Sequence, residues 1–206
     1  MSSGELVSII VPVYNEIRTV RAVIDRLLAI DLPVRREILI VDDGSTDGTR
    51  DVLAAMQAEG VQARILLAER NGGKGSAIRR GLAHASGTII AIQDADLELD
   101  PQQISMLLGP IVRGEASVVF GSRFLDGKSD APFVTVAANR VLTGLTNVLF
   151  GSSLTDMETC YKIMRTDVAR SLKLQANRFD IEPEITARLL RAGHRIHELP
   201  VKFDAR

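Results

Sequence analysis

A single cysteine, Cys160, stands in 206 residues, and tryptophan is absent. One cysteine excludes an intramolecular disulfide and any metal site built from several thiolates, and it fits a reducing compartment. Charge of one sign is also scarce: 25 basic side chains meet 26 acidic ones, for a net charge of -1. That balance argues against general affinity for nucleic acid or acidic membranes, while leaving room for a local basic patch. No apolar run reaches the ~18 residues that a membrane-spanning helix needs. Met1 to Glu5 is short and polar, so no signal-peptide pattern opens the sequence. His84, His194 and His197 form no metal-ligand pattern, because the last two fall across an expected turn and strand. There is no Gly-x-Ser-x-Gly elbow and no histidine at a suggestive distance from Cys160, which sets hydrolase and thiol chemistry aside. What is present is 46% hydrophobic residues in a chain long enough to bury a substantial core.

The apolar residues fall into an alternating order. Val7 to Val13 is a continuous β-branched run, as expected for a strand buried on both faces. Val20, Val23, Ile24, Leu27 and Leu28 follow with helical spacing, and Glu37 to Val41 reads as a second strand. Helices are expected through Val52 to Met56 and from the Gly72–Gly75 stretch to Ala85, with strands at Ala63 to Leu67 and Thr88 to Gln93. Asp100-Pro101-Gln102-Gln103 has the form of an N-cap, a first-turn proline and a capping-box glutamine, followed by the stripe Ile104, Leu107, Leu108, Ile111. A fifth strand is expected at Ser117 to Phe120. The remainder predicts helices over Val134 to Phe150 and Ile181 to Ala192, with strands at Cys160 to Met164 and within Arg195 to Phe203. This order implies an α/β fold: a mostly parallel, Rossmann-like sheet with helices on both faces, as one domain over residues 1–206.

In such sheets ligands bind beyond the carboxyl ends of the strands. Asn15 and Glu16, Asp42 and Asp43, and Asp94 and Asp96 all collect there. Asp47 and Asp100 stand just before helices and read as caps. Asp94-Ala95-Asp96 differs, since two carboxylates flank a small residue directly after an apolar strand. That pairing suits Mg²⁺ or Mn²⁺, hard ions usually held by one or two carboxylates and substrate phosphates. The stretch Asn71-Gly72-Gly73-Lys74-Gly75-Ser76 matches neither the Walker pattern nor the dinucleotide fingerprint. Two readings stand for it: a nest of N–H groups with one lysine for a diphosphate, or a turn before a helix.

Several motifs together resemble glycosyltransferase family 2. They are Pro12-Val13-Tyr14-Asn15-Glu16, the run Val41 to Thr49, Lys74-Gly75-Ser76-Ala77 and Asp94-Ala95-Asp96, in that order. Gly121-Ser122-Arg123-Phe124, Thr155 to Lys162 and Glu198-Leu199-Pro200-Val201 resemble the branch of dolichyl-phosphate mannose synthase and other polyprenyl-phosphate sugar transferases. The resemblance implies a GT-A fold and a nucleotide-sugar donor of the UDP-glucose or GDP-mannose type. By it, Pro12, Tyr14, Glu16, Val41 and Asp43 line the base and ribose pocket, with Lys74 and Ala95 also at the donor. Asp94 and Asp96 hold the metal and diphosphate, joined by Glu98 where the family often has glutamine. Arg123, Arg140 and Arg206 resemble the arginines that receive the acceptor phosphate. The family continues past the last of these with a Gly-x-Ser-Lys-like segment, so the expectation is either a longer chain or an incomplete acceptor site.

The reaction implied is inverting, metal-dependent sugar transfer to a polyprenyl phosphate, with Asp94, Asp96, Arg123 and Asp156 as the catalytic set. A phosphate acceptor has a second pKa near ~6 and needs no base, only a cationic clamp. A hydroxyl acceptor is the alternative, with Asp156 as general base. A nucleotide-binding module without a complete acceptor site is a third. The Gln-x-x-Arg-Trp motif of processive polysaccharide synthases is absent. Val134 to Phe150 suits either a membrane interface or an ordinary core helix. The expected location is the cytoplasm, with peripheral contact at the cytoplasmic face of a membrane.

Overall fold

The computed structural model describes residues 4–125 and 133–204, the second segment with side chains from residue 136 onward. Its strands are β1 (Leu6–Val13), β2 (Arg35–Asp42), β3 (Arg64–Leu67), β4 (Ile89–Ile92), β5 (Val118–Ser122), β6 (Lys162–Arg165) and β7 (His197–Pro200). All seven join one sheet in the order β3-β2-β1-β4-β6-β5-β7. The block β3-β2-β1-β4 is parallel throughout, and β7 runs parallel to β5. Only β6 opposes its neighbours, antiparallel to both β4 and β5. The sheet is therefore mostly parallel, as the alternating pattern predicts.

Side chains alternate across a strand, so an unbroken apolar run feeds two cores at once. Val7, Ile9, Val11 and Val13 of β1 face one side, where α1 (Val20–Ala29), α2 (Thr49–Ala58) and α4 (Gln103–Val112) bring Val23, Ile24, Leu53, Met56 and Leu107. Ile10 faces the other side, against α3 (Lys74–His84), α6 (Thr166–Ser171) and α7 (Ile181–Arg191). Helices thus cover both faces of the sheet. The remaining helix, α5 (Phe133–Phe150), lies between β5 and β6 in the chain.

Two local expectations differ from the structure. Asp100 is not the cap of α4; its Oδ1 accepts the Gln102 amide at 3.2 Å and its carbonyl accepts the Gln103 amide, forming a turn ahead of the helix. Gln103 does not close a capping box either. Its side chain donates to the Lys202 carbonyl at 3.0 Å and accepts the Lys202 amide at 2.6 Å, tying the helix start to a distant segment. Helix α6 carries no expectation from the sequence, because six residues are too few to express a 3.6-residue period.

The register fixes where the site forms. Val13 of β1 pairs with Asp42 of β2, and Ile10 with Ile92 of β4. The chain therefore leaves these three strands side by side, at residues 14–16, 43–48 and 93–96.

Gly81 packs α3 against β1: a Cβ there would lie 2.5 Å from Ile10 Cγ2, inside a buried core. Gly81→Ala should lower stability by roughly 1–2 kcal/mol, because overpacking outweighs the ~1 kcal/mol gained in helix propensity. Gly144→Ala, in α5 with nothing within 4 Å of the added atom, should instead stabilise by about 1 kcal/mol. Chemical denaturation of both variants checks the opposite signs.

Candidate active site

The loops after β1 and β2 are bonded to each other. Asn15 sits at φ 56, a left-handed conformation that asparagine tolerates. Its amide donates to Ser45 Oγ at 2.9 Å and its side-chain oxygen accepts the Thr46 amide at 2.8 Å. Asp47 bridges the same loops, accepting the Ile17 amide at 3.2 Å and the Thr49 amide at 3.0 Å. Asp42 is fully buried and held by Arg50 Nε at 2.7 Å. These contacts make a rigid floor rather than reactive groups.

Above that floor lies a cavity of about 350 Å³. Pro12, Tyr14 and Glu16 line it from the β1 end, and Asp43 from the β2 end. Lys74 enters from α3, with Asp94, Ala95 and Asp96 from the β4 end. Eight residues named from the sequence thus meet around one space. Val41 does not: it is fully buried on the opposite core with Leu39 and Ile78, because alternation along β2 turns it away. Glu98 is also absent from the lining, its amide donating to Asp96 Oδ1 at 3.0 Å.

The glycine stretch is a packed turn, and the diphosphate-nest reading does not fit it. The Gly72 amide donates to Asp43 at 3.0 and 3.1 Å, and the Gly73 amide at 2.6 Å, so both are already committed to a carboxylate. Gly73, at φ 92, and Gly75 lie against residues 176–178, where any Cβ would strike the carbonyls of Asn177 and Ala176. The Ser76 amide donates to the Asn177 carbonyl at 3.0 Å. This packing brings Arg178 and Phe179 to the cavity, neither of which a sequence motif marks.

Beneath Asp94 runs a chain of buried charge. Lys74 Nζ lies 2.8 Å from Asp94 Oδ1 and 2.9 Å from Oδ2, with Cys160 Sγ at 3.4 Å. It is also 2.9 Å from Glu182 Oε1, a second ion pair. Glu182 Oε2 accepts from Lys162 Nζ at 2.6 Å, and Lys162 also bonds the Thr159 carbonyl beneath the Phe120 ring. Burial opposes the charge on Glu182, but Lys162 and Lys74 overcome it and hold the carboxyl at about 2. Burial likewise opposes the Lys74 ammonium, and Asp94 with its neighbours still lifts it well above the ordinary value. The Cys160 thiol is pushed well up, by burial first and then by Asp94, which keeps it protonated. Lys74 and Asp94 were named from the sequence, and a lysine inside the expected strand Cys160 to Met164 is a further signal of this chain; Glu182 gives none.

A second constellation surrounds Arg123. Its Nε donates to Asp156 Oδ2 at 2.7 Å and its NH2 to Oδ1 at 2.8 Å, while its own amide donates to Oδ2 at 3.1 Å. The guanidinium stands 5.5 Å from the Phe124 ring and 5.4 Å from the Phe203 ring. Burial pulls the Arg123 pKa down, and Asp156 more than restores it. Asn139 Nδ2 gives Asp156 Oδ1 a further bond at 2.7 Å. Asp156 is therefore fully buried with both oxygens engaged, which suits an anchor and not a general base. Arg140 is exposed on α5, and Arg206 lies outside the described residues.

The sequence model described as Glycosyl transferase family 2 matches residues 8–173. Over 202 residues the chain is 30% identical to a dodecaprenyl-phosphate galacturonate synthase of Rhizobium johnstonii, covering 97% of this chain and 59% of that protein. It therefore spans less than two thirds of that relative's length. It is also 30% identical over 206 residues to an undecaprenyl-phosphate mannosyltransferase of Micrococcus luteus, covering 96% and 83% respectively. Among solved structures, glucosyl-3-phosphoglycerate synthase of Mycobacterium tuberculosis in complex with Mn²⁺, UDP and phosphoglyceric acid has a TM-score of 0.74 and 25% identity. The match covers 98% of this chain and 72% of that one. The sheet, the helices on both faces and this likeness give the chain the GT-A fold.

Because Glu182 titrates lower in the folded chain than in the unfolded one, the unfolded chain binds more protons as pH falls. Its contribution to stability is complete above about pH 4.5 and is lost on acidification toward about pH 2. Thermal unfolding across that range should show the decline, and Lys162→Met/Glu182→Met should decline less steeply. Parallel curves would contradict the assignment.

Proposed function

We propose, since the chain belongs to glycosyl transferase family 2, that it is a single catalytic domain moving sugar from a nucleotide diphosphate to a polyprenyl phosphate. Transfer proceeds with inversion: an acceptor phosphate oxygen attacks the anomeric carbon as the bond to the leaving diphosphate breaks on the opposite side. The cavity at the ends of β1, β2 and β4 takes the donor, with Pro12, Tyr14, Glu16 and Asp43 at the nucleoside. Its size falls within the range of small-ligand sites. Asp94 and Asp96 suit Mg²⁺ or Mn²⁺, because both line that cavity and carboxylates are the hard ligands such ions take. The ion would neutralise charge developing on the leaving diphosphate. The solved relative holding Mn²⁺ and UDP supports this donor chemistry, as do the family motifs for a UDP-glucose or GDP-mannose type of donor.

The observation that carries the acceptor assignment is the state of Asp156. A hydroxyl nucleophile needs a base, whereas this carboxylate is buried and saturated by Arg123 and Asn139. A phosphate arrives ionised and needs a preorganised cation, the role that Asp156 gives Arg123. The names of the two curated relatives, both acting on polyprenyl phosphates, support the same acceptor. Likeness to glucosyl-3-phosphoglycerate synthase favours a second reading, a small phosphorylated hydroxyl acceptor.

Helix α5 supports contact with a membrane surface. Val141, Val148 and Leu149 are 70%, 83% and 68% exposed, while Asn139, Thr143 and Thr146 are buried. The helix is turned polar side in and apolar side out, as at a lipid interface. No helix among the described residues is long and apolar enough to cross a membrane.

Two assays test this function. Radiolabelled transfer to polyprenyl phosphate, polyprenol or 3-phosphoglycerate should give product only with the first. Arg123→Lys keeps the charge but loses the planar fork, and should lower that transfer by about 10²-fold with nucleotide affinity unchanged. Product from 3-phosphoglycerate alone would select the second reading, and none from any acceptor a nucleotide-binding module. Asp156→Asn does not separate them, because it unseats Arg123 in either case.

For the membrane, the wild-type protein should float with liposomes containing anionic and polyprenyl-phosphate lipids. Leu145→Ser/Val148→Ser/Leu149→Ser should stay behind at unchanged thermal stability, since all three side chains face solvent. A wild-type protein that never floats would end the proposal.

A further inference from the structure

Lys74 stands where a competitor of the proposed cation would stand. Its ammonium touches both oxygens of Asp94, at 2.8 and 2.9 Å. An undivided Lys74–Asp94 pair would neutralise the carboxylate and oppose a divalent ion beside it. The pair is divided: Glu182 Oε1 draws the same ammonium from 2.9 Å. Lys162, fully buried, satisfies the opposite oxygen of Glu182 at 2.6 Å and makes it tolerable to bury that glutamate.

We infer that Glu182, backed by Lys162, positions Lys74 between two carboxylates and so leaves Asp94 enough negative charge to hold a divalent cation. Glu182 and Lys162 touch neither cation nor donor; they act through Lys74, as positioning residues. The inference rests on the reading of Asp94 and Asp96 as the cation-holding pair. It differs from a purely structural role in one respect: removing Glu182 and Lys162 together leaves the net charge unchanged. Only the sharing of Lys74 is altered. A charge chain serving packing alone would then change stability and not cation affinity.

The test is Mn²⁺ binding by electron paramagnetic resonance of the free ion, with no donor present. Wild-type protein should bind one Mn²⁺ that Asp96→Ala abolishes. Lys162→Met/Glu182→Met, isosteric enough to remain folded by circular dichroism, should bind it about tenfold more weakly, the scale on which one unit charge shifts a neighbouring carboxylate. Adding Lys74→Met should then strengthen binding by about tenfold, and clearly less when Lys74→Met is made in the wild type, where Glu182 already shares the lysine; that non-additivity is the signature of a shared lysine. If the double variant fails to fold, Glu182→Asp keeps the charge but withdraws it by one methylene, and should weaken binding severalfold. Unchanged affinity in the folded double variant or in Glu182→Asp, or additive effects of Lys74→Met, would overturn the inference while leaving the donor site standing. Absence of any Asp96-dependent Mn²⁺ would remove the donor-site reading and this inference with it.

Discussion

Lys162 and Glu182 lie buried where a sheet meets its helices, with Lys74 nearly so, and a buried charge must find its partner inside the protein. That requirement orders much of the site. Lys162 projects from β6, Lys74 from the first turn of α3 and Glu182 from the first turn of α7, so their pairing fixes three elements relative to one another. The glycine turn before Lys74 is fixed separately, by Asp43 accepting two of its amides. Lys74 therefore reaches Asp94 from a backbone with little freedom. The polar floor of the cavity is a consequence of charge pairing below it as much as of the loops around it.

The parts of this architecture that were legible in the sequence are those with a local cause. Strands buried on both faces must be continuously apolar, which is why Val7 to Val13 and the end of β2 stand out. The cavity residues were legible through family motifs, because Tyr14 and Asp43 directly follow their strands and Asp96 lies in the short segment after β4. Val41 shows the limit of that reasoning. A motif names a position but not the face of the strand, and here the face is the core. The glycine stretch fails for another reason: its amides are claimed by a residue 29 positions earlier, a pairing that no local pattern records. Glu182 and Lys162 are 20 residues apart and meet only because α7 folds back over β6. Asp156 was legible as important, but its role as an anchor depends on Arg123 and Asn139 arriving from separate elements.

The two constellations divide the work along the sheet. The parallel block β1, β2 and β4 carries the acidic loops. The insertion of antiparallel β6 beside β5 brings Arg123 and Asp156 together on the far side of it. In the proposed function, the carboxylates of one cluster would attract a cation and the arginine of the other an anion. A reaction that separates a diphosphate from a sugar while a phosphate approaches needs both, held apart by rigid structure.

The inward polar face of α5 has a consequence for the protein outside water. Most helices are attached to their domain by apolar burial, and a lipid or detergent phase offers apolar side chains an equally good home. Such helices can peel away when one is at hand. Helix α5 is attached instead through Asn139 to Asp156, Thr143 to the Met157 amide, and Asn147 to the Leu154 carbonyl. Hydrogen bonds of this kind strengthen as the surrounding dielectric falls. Hydrocarbon has nothing to exchange for them. A greasy surface that would loosen an ordinary helix leaves this one seated, and the guanidinium of Arg123 with it.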